Sequence, residues 1–163
     1  MSRTSQSLLA LLIVLFAGCG ESNESAVLAE LRSTENIEDF QRILSRNRVG
    51  EEERLRLLLS VVEENLGNQE NVVSYGKVNI ALKELNLAAK SGMLSKDAIP
   101  TLLNALSNQL SIHDTIVTSE TLLILTGLDT GYDQQFVQSY TVEDEPLRLE
   151  KIEKWQAWYD QDR

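Results

Sequence analysis

Three observations predict an all-α domain. Apolar residues return at helical spacing in stretch after stretch, glycines stand where those stretches end, and no stretch alternates polar and apolar residues long enough to read as a strand. The expectation is about seven helices with short connections, all lying beyond an apolar N-terminal run.

Taken in order, Val27, Leu28 and Leu31 form a short stripe, and Ile37, Phe40 and Leu44 form a second. Leu55, Leu58, Leu59, Val62 and Leu66 follow the i, i+3, i+4, i+7, i+11 pattern. They come after Glu51, Glu52 and Glu53, whose charges favour the positive end of a helix dipole. Val78, Ala81, Leu82, Leu85, Ala88 and Ala89 make the next stripe, with Ser74 as the expected N-cap. Ile99, Leu102, Leu103, Leu106 and Leu110 follow Ser95, a second expected N-cap. Pro100 lies in the first turn there, where a missing amide donor is tolerated. Gly67, Gly92 and Gly127 stand where helix ends want a residue that tolerates positive φ. On the last helix, Ile152, Trp155 and Tyr159 give an apolar stripe, with Trp158 beside it.

Residues 1–18 carry one base, Arg3, and no acid, with an unbroken apolar run from Leu8 to Ala17. That is the layout of a secretory signal. The run is about half of the roughly 20 residues a membrane-spanning helix needs. "LFAG" stands before Cys19, the only cysteine, and resembles the lipobox of bacterial lipoproteins. The resemblance implies cleavage between Gly18 and Cys19, diacylglyceryl attachment to the Cys19 thiol, and acylation of the new amino terminus. The partner is then the lipid bilayer, held through acyl chains. Phe16 departs from the leucine most common at its place. The same residues also read as an ordinary signal-peptidase site, with Ala17 and Cys19 as an A-x-A-like pair. Gly20 is not the aspartate that retains many lipoproteins at the inner membrane of two-membrane bacteria. The implied location is therefore the cell envelope, at the outer membrane facing the periplasm.

Cleavage would leave 145 of the 163 residues, one domain's worth. Fourteen bases would then face 25 acids, a formal charge of −11. Phosphate backbones and anionic headgroups attract clustered Lys and Arg, so nucleic acid is excluded as a partner. Residues 19–25 read as the lipidated cysteine and a polar tether, reaching about 20 Å if extended. Residues 26–163 read as the helical domain.

Helix pairs of similar size, with "AIPTLLNAL" at 98–106 the clearest, resemble HEAT or armadillo repeats. That implies a short right-handed stack of antiparallel helix pairs, an α-solenoid. "LLILTGLDTGYD" at 122–133 with "IEKWQAWYD" at 152–160 is similar to the terminal cap of bacterial HEAT-like proteins, placing a cap at about 122–163. The resemblance implies a fold and no substrate. An irregular helical bundle fits the same stripes.

Three features carry chemistry worth placing. Asp129 and Asp133 flank Gly131, as oxygens of a calcium loop can, although the remaining ligands of that signature are missing. The alternative is that they cap neighbouring amides. His113 adjoins Asp114, but neighbours on a helix do not face each other, and a loop or N-cap role is the expectation. Trp155, Trp158 and Tyr159 could stack on a ligand; at helical spacing they are expected in the core. No catalytic, cofactor or metal site is assigned, and Cys19 is the one site residue. The expected function is a membrane-anchored, non-catalytic interaction module for a protein or peptide partner. The alternatives are a pilot-like assembly factor escorting an outer-membrane component, and a small envelope enzyme.

Overall fold

The computed structural model describes residues 21–46, 49–68, 70–108 and 110–162, all helical or connecting, with no strand among them. Residues 1–18, expected as a signal, and Cys19 lie outside the described residues. Two compact units divide the chain, one through Val49 and one from Gly50.

The first unit holds α1 (Glu21–Ser33) and α2 (Ile37–Arg46), which pack on each other. Residues 21–25, expected as tether, are instead the beginning of α1. Residues 21–33 contain neither glycine nor proline to break a helix. Asn36 Oδ1 accepts the Asp39 N–H at 2.8 Å and starts α2. Val27, Leu31, Phe40, Ile43 and Leu44 are buried, while Leu28 and Ile37 are half-buried.

The second unit holds α3 (Glu51–Asn65), α4 (Val72–Lys90), α5 (Ile99–Ser107), α6 (Ile112–Thr126), α7 (Gln134–Ser139) and α8 (Glu145–Gln161). Single 3-10 turns at Lys96–Ala98 and Val142–Asp144 lead into α5 and α8. α3 packs on α4 and α5 on α6, while α3 also meets α5 and α4 meets α6. Consecutive helix pairs therefore stack in two layers, and α8 closes the stack against α5 and α6.

Helix ends follow local chemistry. Gly92, at φ 74°, ends α4 with Met93 N–H on the Ala88 carbonyl and Gly92 N–H on that of Ala89, a Schellman motif. Gly127, at φ 68°, ends α6 as expected. Gly67 does not use its freedom: α3 ends at Asn65 and Leu66 keeps right-handed geometry. Ser74 lies inside α4, whose N-cap is Asn71, its side chain accepting the Val73 and Ser74 N–H groups. Ser95 caps the 3-10 turn before α5, and Pro100 sits in the first turn of α5.

The apolar stripes of α4 and α5 are buried as expected, except that Leu110 lies beyond the end of α5 and is half-buried. α3 buries Leu57 and Val61 in addition to Leu55, Leu58 and Val62, because it has two neighbours to cover. α6 is the exception in kind. Its buried face is Asp114, Thr118, Ser119, Thr121 and Leu122, while Ile112, Leu123 and Ile124 are exposed. Thr118 and Thr121 donate to the carbonyls of Asp114 and Val117, each at 2.7 Å, so their burial strands no hydroxyl.

Candidate functional site: an apolar groove at the end of the stack

After Gly127 the chain cannot continue α6, and it crosses to α7 and α8 through the loop containing Gly131. Gly131 has φ 71°, and a Cβ there would meet Lys151 Nζ at 2.8 Å. Asp129 Oδ1 accepts the Gly131 N–H, and Asp133 Oδ1 accepts the Phe136 N–H as the N-cap of α7, both at 2.8 Å. The two carboxylates cap backbone amides.

This loop and α7 carry a row of aromatic rings. Trp155 and Tyr132 are 6.0 Å apart between centroids, Tyr132 and Phe136 5.3 Å, and Phe136 and Tyr140 6.2 Å. Trp155, 1% exposed, donates from Nε1 to the Leu128 carbonyl at 2.9 Å and so pins the loop to α8. Ile152, Trp155 and Tyr159 are buried and Trp158 half-buried under Lys96 Nζ, 4.7 Å from its ring. The tryptophan-bearing helix is core at Trp155 and Tyr159.

Between the start of α6, α7 and the start of α8 lies an open groove of about 530 Å³. Leu106, Leu110, Ile112, Val137, Tyr140 and Val142 give it apolar walls, with Tyr132 and Phe136 from the ring row. Ile112 and Val142, among its lining residues, are 60% and 87% exposed. Its polar end is Arg148, which is buried. Arg148 holds Glu145 through two contacts, Nε at 2.7 Å and Nη2 at 2.8 Å, and gives Nη1 to the Leu106 carbonyl at 2.8 Å. The Tyr140 hydroxyl donates to the same Glu145 carboxylate.

Arg148 first, and Tyr140 second, hold the Glu145 carboxyl down at about 2. A depressed carboxyl stabilises the fold above its ordinary range and loses that contribution as pH falls toward the folded value. Glu145→Gln should therefore lower the melting temperature by an amount that is constant from neutral pH down to about 5, and the gap should close between about 4.5 and 2. Melting curves across that range check it; a gap that closes above pH 5 would mean Glu145 is not held this way.

The sequence-predicted pair His113 and Asp114 is separated by the helix surface. His113 is exposed, whereas Asp114 is 0% exposed and faces α4. Its carboxylate accepts from the Tyr75 hydroxyl at 3.1 Å, from Asn79 Nδ2, and from the Ser111 hydroxyl at 2.8 Å. Ser111 in turn caps α6 by accepting the Asp114 N–H at 3.1 Å. Lower on the same interface Asn86 Nδ2 reaches Thr121 Oγ1 at 2.9 Å. Asp114 thus fixes the end of α6 that supplies Ile112 and Thr115 to the groove.

Sequence reasoning missed Arg148, Glu145, Tyr140 and Val142. The Glu145–Arg148 spacing of i, i+3 on a helix that Pro146 opens was the available signal. No described helix is long and apolar enough to cross a membrane. No family model, curated protein or solved structure matches the chain.

Proposed function

We propose that the protein is a lipid-anchored interaction module of the bacterial cell envelope, without catalytic activity of its own, that receives a segment of a partner protein in the groove between α6, α7 and α8. The observation that carries the reading is the groove, an apolar trough with Ile112 and Val142 exposed on its rim. A binding reading is favoured over an enzymatic one by the disposition of His113 and Asp114: the imidazole is exposed and the carboxylate is fully engaged elsewhere. Two stacked helix pairs closed by α8 support the HEAT-like reading, in which short helix pairs present an extended surface.

The anchor is assigned to acylation of Cys19, with the outer membrane, periplasmic face, as its location. Two or more acyl chains make such attachment stable where one does not. Labelling cells with a fatty-acid analogue tests it: label is expected on the parent and absent from Cys19→Ser. Label retained by the serine variant would remove the anchor from the account. Loss of a partner's outer-membrane location on deletion of the protein would favour the pilot-like alternative.

A further inference from the structure

We propose that the segment held in the groove carries a lysine or arginine beside its apolar residues, and that this cation seats in a second cavity next to the groove. The inference rests on the docking reading above and names the partner's chemistry.

The second cavity, about 290 Å³, is lined by Ile116, Leu123 and Trp155 and by three acidic residues, Glu120, Asp129 and Asp133. Tyr132 lines both cavities. They also follow one another along α6: Ile112 and Thr115 line the groove, and Ile116, Ser119 and Leu123 line the second cavity. These positions fall on one helical stripe. At 1.5 Å per residue the two sets are centred roughly 9 Å apart. That is about three residues of an extended segment, or about six of a helix.

Acidic residues beside apolar and aromatic ones suit a long cationic side chain, which buries its methylenes and keeps its charged head at the rim. Asp129 and Asp133 accept backbone N–H groups, which fix the oxygens without neutralising them. Glu120 meets Lys90 at 3.0 Å. Lys151 is turned to the Thr130 carbonyl at 3.2 Å and over the Phe136 ring at 4.8 Å. At the far end of the groove Glu143 and Asp144 follow Val142, and Glu145 matches Arg148. Glu120 and Glu145 have their partners in Lys90 and Arg148, which leaves Asp129 and Asp133, held by backbone N–H groups, as the acidic part of the second cavity, a charge that complements a basic segment and repels an acidic one.

Short fluorescent peptides and the full protein in phosphatidylcholine nanodiscs provide the test, with empty nanodiscs as control. One peptide carries a leucine pair and lysines about three and about six residues beyond it. A second replaces the lysines with glutamate, and a third replaces the leucines with serine. Fluorescence anisotropy should give the lysine peptide about tenfold tighter binding than the glutamate peptide. The preference should shrink in high salt. It should also shrink in Asp129→Asn and Asp133→Asn, whose amide oxygens still accept the capping N–H. Ile112→Asp should abolish binding of both leucine peptides, and the serine peptide should not bind. Equal binding of the lysine and glutamate peptides would leave the groove standing and overturn the cation assignment. Two results would overturn both readings: no peptide binding above that to empty nanodiscs, or self-association of the parent lost in Ile112→Asp, which would make a second copy the occupant.

Discussion

Trp155→Ala is expected to destabilise the protein by about 3–5 kcal/mol, the largest effect of any single truncation in the second unit. The indole is 1% exposed, its edge meets the Tyr132 ring, and its N–H is the tie between α8 and the Leu128 carbonyl. Alanine would leave a cavity and a carbonyl without its donor at the same place, and neither loss can be made good by a shift of one neighbour. Trp155→Phe keeps most of the volume and should fall between parent and alanine. Urea midpoints of the three proteins decide it, and an unchanged midpoint for the alanine variant would mean that the cap is not packed through this residue. Because Tyr132 links Trp155 to the ring row, any loss of groove binding should follow the loss of folding.

Asp114→Ala should cost about 2–4 kcal/mol although it removes no apolar surface to speak of. Three donors, on Tyr75, Asn79 and Ser111, converge on a carboxylate that is 0% exposed. Removing it strands them at the α4–α6 interface, partly relieved by water because Tyr75 and Asn79 are only half-buried. Tyr75→Phe in the Asp114→Ala background should add little to the loss, since the bond it deletes is already gone. Additive losses in that double-mutant cycle, read from denaturant midpoints, would contradict the shared site.

The same interface explains what the sequence could and could not disclose. Helices α3, α4, α5 and α8 announce themselves because they bury aliphatic or aromatic stripes, so spacing alone places Leu58, Leu85, Leu102 and Trp155 inside. α6 packs through Asp114, Thr118 and Thr121 and turns Ile112, Leu123 and Ile124 outward, which inverts the pattern that periodicity seeks. Its C-terminal boundary was still legible, through Gly127. Gly67 does mark the end of α3, one residue past its C-cap, whereas Ser74 misled because residue type marks where a cap can form and the neighbouring Asn71 side chain decides where it does. The short helix α7 hid within what reads as a loop, since six residues give less than two turns of pattern.

The groove was less legible still. Its walls come from the end of α5, the start of α6, α7 and the turn before α8, and no local spacing joins Leu110 to Tyr140 or Val142. Two parts could have been read: the Glu145–Arg148 pair by its helical spacing, and the turn-forming Gly131 between two aspartates. The rest depends on how the loop after Gly127 is pinned by Trp155, a tertiary contact between residues 27 apart in sequence.

Site-specific photocrosslinking in living cells asks most directly whether the groove is the working surface. A photoreactive residue at Ile112 or Val142 is expected to give one discrete protein adduct. At Met93, equally apolar and 49% exposed but outside the groove, it should give none. The adduct from Val142 should vanish when Ile112→Asp is introduced. Adducts from Met93 alone, or the same adducts from all three positions with no effect of Ile112→Asp, would contradict the groove as the site of partner binding.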